Sequence, residues 1–296
     1  MLNVFEALRS PSIGAILPGL RKFEIGELLF ASFSCPGSGE WEASWAEHDR
    51  IIHVLTGSKT LRAAGDSWDL DAGDTMFLKK GASFLRQNTQ DDVCIFMFFV
   101  PDDFIRTTIR EIALDLPTLP PAAEPREMAV RVRHDAGIAA FLQAMTVLFG
   151  ASGTPPELLL KLKLKELIAS IVVSPANARL SSYLRRVAAR SAPSIPAIMA
   201  ANCCHNLALE EFAKLCNCSL STFKREFRRH YGMAPGKWLL EQRLQCSARL
   251  LTTTSMSVTE IVFECGFEQP AHFARAFKAR FGRTPREYRG ARVAAA

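Results

Sequence analysis

The sequence predicts an α+β protein in two parts. A β-rich domain with helices after it spans residues 1–192, and an all-α domain spans 193–296. Three observations carry this. Short apolar segments broken by turn residues fill positions 23 to 100, the pattern of many strands in a small barrel or double-sheet roll. From residue 102 onward apolar positions recur at helical intervals instead. Near the end one spacing occurs twice, fifty residues apart: Phe223, Phe227, Gly232, Pro235 and then Phe273, Phe277, Gly282, Pro285.

In chain order, strands are expected at Leu28–Phe33, Ile51–Thr56, Thr60–Ala63, Thr75–Leu78 and Val93–Val100. Gly57-Ser58, Gly65-Asp66, Gly73-Asp74 and Gly81 mark the tight connections between them. A metal-dependent barrel enzyme needs several histidines and a carboxylate converging inside. Here His48 and His53 lie near the first such position, but the stretch after Gly81 reads Ala-Ser-Phe-Leu. No nucleophile–base constellation is present either, so neither a catalytic residue nor a metal ligand nor a cofactor is expected. His53, alone in an apolar strand, reads as a core or pocket residue, and Trp41, Trp45 and Trp68 as core or pocket lining.

Residues 102–190 read as mainly helical. Leu160, Leu164, Leu167 and Ile171 step by four, three and four, the spacing of a helix–helix seam. That seam either forms a homodimer interface or packs against the barrel of its own chain. Pro175 and the Ser191–Pro196 stretch mark helix breaks and a linker.

Each copy of the repeat then reads as helix, tight turn, helix. The match extends upstream at an offset of 49, pairing Leu209 with Val258, Phe212 with Ile261, Ala213 with Val262, Cys216 with Cys265 and Asn217 with Gly266. Asn tolerates the left-handed turn conformation, and Gly adopts it freely. Ser219 is a good N-cap; Gln269 is a poor one, but Pro270 suits the first helical position. The phenylalanines four apart turn inward together. Facing outward are Ser221, Thr222, Lys224, Arg225, Arg228 and Arg229 in one copy, and Ala271, His272, Arg275, Lys278 and Arg280 in the other, with Gln269 just ahead. Basic residues on the second helix of such a motif are placed to reach base edges and phosphates of duplex DNA. Between the copies, about Gly236 to Leu251 reads as one connecting helix. At roughly 24 Å it could set the two reading helices in neighbouring major grooves.

From Leu207 to Arg289, including the closing Gly282-x-Thr284-Pro285-x-x-Tyr288-Arg289, the pattern closely resembles the DNA-binding domain of AraC/XylS-type transcription regulators. The resemblance implies Ser221, Lys224 and Arg225 as base readers in the first unit, and Pro270, Ala271, Ala274 and Arg275 in the second. Pro and Ala bring no side-chain hydrogen bonds, so the first unit is expected to supply more of the specificity. RNA polymerase is the further partner the family implies, and activation the expected sign of regulation. His53 through Gly81 is similar to the cupin-type barrel of the same family, and in general form to activators of type III secretion genes. The first domain is therefore expected to respond to a small-molecule or protein effector.

Charge divides the same way. From Pro193 onward there are 15 Lys and Arg against 8 Asp and Glu, a net of +7; residues 1–192 hold 21 against 22, a net of −1. The basic balance suits phosphate contact. Apolar runs such as Cys94–Val100 are too short to cross a membrane, and the N-terminus lacks a signal peptide's pattern. The eight cysteines lack the paired spacing of common zinc sites, with Cys216 and Cys218 expected to be buried beside the turn. Reduced thiols and a cytoplasmic protein are expected. The competing reading is an enzymatic cupin fused to a DNA-targeting module.

Overall fold

In the computed structural model the described residues are all but 18, 36–39, 89–91, 114–115, 117–124, 126, 190–193 and 294–296, with backbone alone for 291–293. Contacts divide the chain into two units, Leu2–Ala192 and Pro193–Ala296. The start of the expected Ser191–Pro196 linker lies outside the described residues.

The first unit opens with β1 (Leu2–Asn3) and α1 (Val4–Arg9) and continues through β2 (Arg21–Ile25), β3 (Leu28–Cys35), β4 (Glu42–Ala46) and β5 (Asp49–Thr56). Then come β6 (Ser58–Ala63), β7 (Asp66–Asp71), β8 (Thr75–Leu78), β9 (Gly81–Gln87) and β10 (Val93–Val100). After α2 (Asp102–Glu111) and β11 (Ala129–Arg131) the unit ends in α3 (Ala136–Gly150), α4 (Glu157–Val173) and α5 (Ala178–Ala189). Each strand expected from the sequence lies within one of these. Two sheets result, ordered β1-β4-β9-β6-β7 and β11-β8-β5-β10-β3-β2.

Strand alternation explains how the second sheet carries the helices. Phe30, Ile51, Phe77, Phe96 and Phe98 point to one face and join Phe141, Leu164 and Ile171 in a single apolar cluster. Polar groups tie the layers together. Arg50, fully buried on β5, donates to the Ser83 hydroxyl on β9 of the other sheet at 2.6 Å. Burial lowers its pKa to about 10. Next to it Asp49 accepts from the Lys80 amide at 2.8 Å and from the Tyr183 hydroxyl at 3.1 and 2.9 Å, tying β5 to α5. Burial, reinforced by Asp102, raises the Asp49 carboxyl to about 6.

His53 is a core histidine. Its Nδ1 lies 2.8 Å from the Thr75 hydroxyl, which also bonds His134 at 2.6 Å. Burial first, then the neighbouring His134, lowers it to about 4, so the ring is neutral at pH 7. Among the described residues no group of three His, Cys, Asp or Glu is arranged to hold a metal ion.

The leucine seam requires a correction. Leu160, Leu164, Leu167 and Ile171 are each 1% exposed or less and belong to the core of their own unit. They cannot also meet a second copy. The helical spacing shows that α4 has an apolar stripe, but not which surface covers it. The large apolar residues that α4 leaves outside are Leu158, Leu162 and, at its end, Val173, 68%, 52% and 42% exposed.

The second unit is helical throughout: α6 (Ile195–Asn202), α7 (Leu209–Leu215), α8 (Leu220–Tyr231), α9 (Pro235–Thr253), α10 (Val258–Glu264), α11 (Pro270–Phe281) and α12 (Pro285–Val293). α9 is the expected connecting helix, a little longer than its apolar rhythm suggested. Among the described residues no helix is long and apolar enough to cross a membrane.

Candidate nucleic-acid interface

Both copies of the repeat are built alike, starting at the turn. In the first, α7 ends at Cys216 and Asn217 takes φ +51°; in the second, α10 ends at Cys265 and Gly266 takes φ +76°. The same hydrogen bond closes each turn, Cys218 N–H to the Ala213 carbonyl at 3.1 Å and Phe267 N–H to the Val262 carbonyl at 3.0 Å. The turns differ in crowding. A Cβ on Gly266 would lie 2.8 Å from the Cys204 carbonyl oxygen, so only glycine fits there without a shift. Cys216 is buried as expected, but Cys218 is only half-buried; its counterpart Phe267 fills the corresponding place with a ring.

Each reading helix is then started, anchored and stopped. The Ser219 hydroxyl accepts from Thr222 N–H at 3.3 Å to cap α8, whereas Gln269 makes no side-chain cap and α11 begins on Pro270. Phe223 and Phe227 are wholly buried, as are Phe273 and Phe277 to within 1%. Phe227 meets Tyr231 and Trp238, with ring centres 4.5 and 5.9 Å away; Phe277 meets Phe281 and Tyr288 at 4.6 and 5.3 Å. These partners also recur at an offset of fifty, a signal present in the sequence but not used above. Gly232 and Gly282, at φ +67° and +72°, end both helices left-handed.

Packing the phenylalanines inward decides what faces out. On α8, Ser221, Lys224, Arg225, Arg228 and Arg229 are exposed, and the four cations line one depression. Thr222 is half-buried and its hydroxyl bonds Ser219, so it belongs to the cap rather than to the outward face. Glu226 is the one acid on this helix and pairs with Arg229 at 2.7 Å and Arg225 at 3.4 Å. On α11, Ala271, His272, Arg275, Lys278 and Arg280 are exposed, as is Gln269 before it, while Ala274 is half-buried. Arg280 is not a free cation. It grips Glu241 of α9 through Nε and Nη2 at 2.8 to 2.9 Å, a two-pronged pair. The pairing lowers the Glu241 carboxyl and raises the Arg280 guanidinium.

Two arginines to which the sequence reading gave no role hold the halves in shape. Arg243 on α9 donates to the Cys203 and His205 carbonyls at 2.9 and 2.7 Å, and Arg289 on α12 donates to the Leu251 and Met256 carbonyls at 3.3 and 2.6 Å. In each half an arginine from a later helix satisfies carbonyls in the segment leading into the helix-turn-helix. Nothing local distinguishes them from surface arginines.

Known proteins match both units. Residues 212–291 match a helix-turn-helix domain family, and residues 49–183 match the ExsA N-terminal regulatory domain. The thermoregulatory protein LcrF of Yersinia pestis is 26% identical over 83% of this chain and 90% of its own length. The HTH-type transcriptional regulator ExsA of Pseudomonas aeruginosa is 25% identical over 81% and 85%. An HTH-type transcriptional regulator of Haemophilus influenzae reaches 40% identity, over 27% of each chain. The chain thus carries an AraC-type helix-turn-helix domain behind an ExsA-type regulatory domain, and the relatives it matches along most of its length are AraC-family transcription regulators.

Proposed function

We propose that this protein activates transcription by laying α8 and α11 into successive major grooves of one operator. Lys224 and Arg225 read base edges, with Ser221 beside them; Arg228 contributes from the same face of α8. Arg275 is the chief reader on α11, with Gln269, Ala271, His272 and Lys278 completing its contact surface. The observation that supports this best is the repeated scaffold, which turns two pairs of phenylalanines inward and leaves basic residues outward on both helices. α9, with nineteen residues, is roughly 28 Å long, close to the ~34 Å between successive grooves.

The unit Leu2–Ala192, read as cupin-like, supplies control from the cytoplasm by binding a small molecule or a protein and by self-association, and the DNA-bound form recruits RNA polymerase. For self-association the outer face of α4, with Leu158 and Leu162, replaces the buried seam.

Binding of the full chain to duplex DNA as salt rises tests the central reading. The expected result is a steep loss of affinity, since each phosphate contact releases counterions. Weak, salt-insensitive binding would overturn it. Charged residues at Leu158 and Leu162 should separate any dimer while leaving the protein folded.

A further inference from the structure

The three tryptophans of the first unit meet different fates. Trp45 is 2% exposed, inside the core. Trp41 carries Arg62 and Arg86 against its ring, their guanidinium carbons 4.8 and 4.9 Å from its centre. Trp68, on β7, is half-buried and stacks on no ring or cation among the described residues. It lines a pocket of about 390 Å³ that lies wholly within the first unit. That volume falls in the range of small-molecule sites.

The pocket is built from segments far apart in the chain. Glu127 and Arg131 come from β11 and its approach, Arg133 from just beyond it, Asn177 from the short turn Pro175–Asn177, and Arg179 from the first turn of α5. Its three guanidinia are not alike. Arg131 pairs with Asp74 and donates to the Asp69 carbonyl at 2.8 Å. Arg179 pairs with Glu127 at 2.7 Å. The Arg133 side chain is exposed and has no partner among the described residues.

Arg133 is nevertheless fixed at its base. Asn177, 4% exposed, accepts from the Arg133 N–H and donates to the Arg133 carbonyl, both at 2.8 Å. A rigid backbone therefore presents an unpaired cation to the pocket. Three arginines against Glu127 and Asp74 leave one positive charge in excess. α5 also begins here, at Ala178, with no acid in its first turn, so its positive end adds to the same field.

We infer that this pocket binds a small organic phosphate carrying a planar ring, of the nucleoside monophosphate class, with the phosphate on Arg133 and Arg179 and the ring on Trp68. Planar guanidinium forks match the oxygens of a phosphate in pairs. A phosphate monoester carries roughly two negative charges at pH 7, enough to engage Arg133 while sharing Arg179 with Glu127. The flat apolar face of an indole suits a planar ring. A carboxylate brings only half that charge, and a phosphate without a ring leaves Trp68 unused. The assignment names the effector class for the first unit and rests on its reading as an effector-binding domain.

The test titrates the full-length protein by calorimetry with AMP, GMP, CMP and UMP, and with adenosine and inorganic phosphate as the separate parts. The expected result is saturable binding of at least one monophosphate, one per chain, about tenfold or more tighter than either part. Arg133→Gln should weaken it about tenfold or more and leave the unfolding temperature unchanged, because the guanidinium removed holds nothing in the fold. Trp68→Leu should reduce the monophosphate to the affinity of inorganic phosphate. Should Trp68→Leu not fold, Arg133→Gln still decides. No saturable binding by any of the four, equal affinity for inorganic phosphate, or binding unchanged in Arg133→Gln would overturn the proposal. So would binding lost in Arg225→Ala, which would put the nucleotide on the DNA-reading face. Duplex affinity with and without the bound monophosphate separates the two readings: no change would count against control by the first unit, not against the pocket.

Discussion

Phe223 and Phe227 seat α8 much as Phe273 and Phe277 seat α11, and the hydrogen bonds closing the two turns agree to within 0.1 Å. The outward faces do not agree. α8 carries four exposed Lys and Arg side chains in its middle and end, partly balanced by Glu226. α11 has three, of which Arg280 is already held by Glu241. The inward positions must fill a close-packed core, whereas the outward ones carry no such packing constraint. One scaffold can therefore present two different reading faces without any change in how it folds.

The largest effects should come from the shared part. Phe227→Ala and Phe277→Ala each remove a fully buried ring and should cost about 3–5 kcal/mol in chemical denaturation of the full chain. Similar costs would support the equivalence of the two cores. A cost under ~1 kcal/mol at either site would break it.

The turns should separate the units. Gly266→Ala faces both positive φ and a carbonyl 2.8 Å from its new Cβ; Asn217→Ala adds no Cβ and changes the residue at φ +51°. We expect about 2–4 kcal/mol for the first and roughly 1 kcal/mol for the second. Equal losses would mean that the crowding at Cys204 relaxes freely.

Acid should act on the first helix-turn-helix copy, through His205 in the segment leading into it. Burial, then Arg243, lowers His205 to about 4, so it folds as the neutral ring, whereas its usual value is 6.5. The unfolded chain then binds the extra proton between those values, and stability falls as pH drops from about 6.5 toward 4. At pH 5 the loss is about 2 kcal/mol from this one group. His205→Gln should flatten that part of the stability–pH curve. A variant with an unchanged slope would show that His205 does not carry it.

Arg225→Ala should cost roughly 1–3 kcal/mol on the specific site and relax preference at one or two base pairs. Measured at one fixed salt concentration, equal losses on matched and scrambled DNA would assign the reading role elsewhere. The smallest effect is expected at Arg280. Because Glu241 already holds it, Arg280→Ala should weaken binding to any duplex by about twofold or less. Glu241→Gln, which frees the guanidinium, should strengthen binding slightly. A large specific loss at Arg280 would make it a reader and narrow the difference between the helices.

Much of this protein was legible because it is local. The short apolar runs Ile51–Thr56 and Val93–Val100, the turn glycines, and the paired phenylalanines depend on a few neighbouring residues, and so does the repeat that carries the family resemblance. Side-chain spacing along a helix also determined that α4 has an apolar stripe and that α8 and α11 turn basic residues outward. Only the tertiary structure decided what those faces meet. It buried Leu160, Leu164, Leu167 and Ile171 within their own unit, paired Arg280 with Glu241 thirty-nine residues away, and gave Thr222 to a cap. Periodicity tells which side of an element is apolar or charged; the partner depends on where distant segments come to rest, and no local spacing records that.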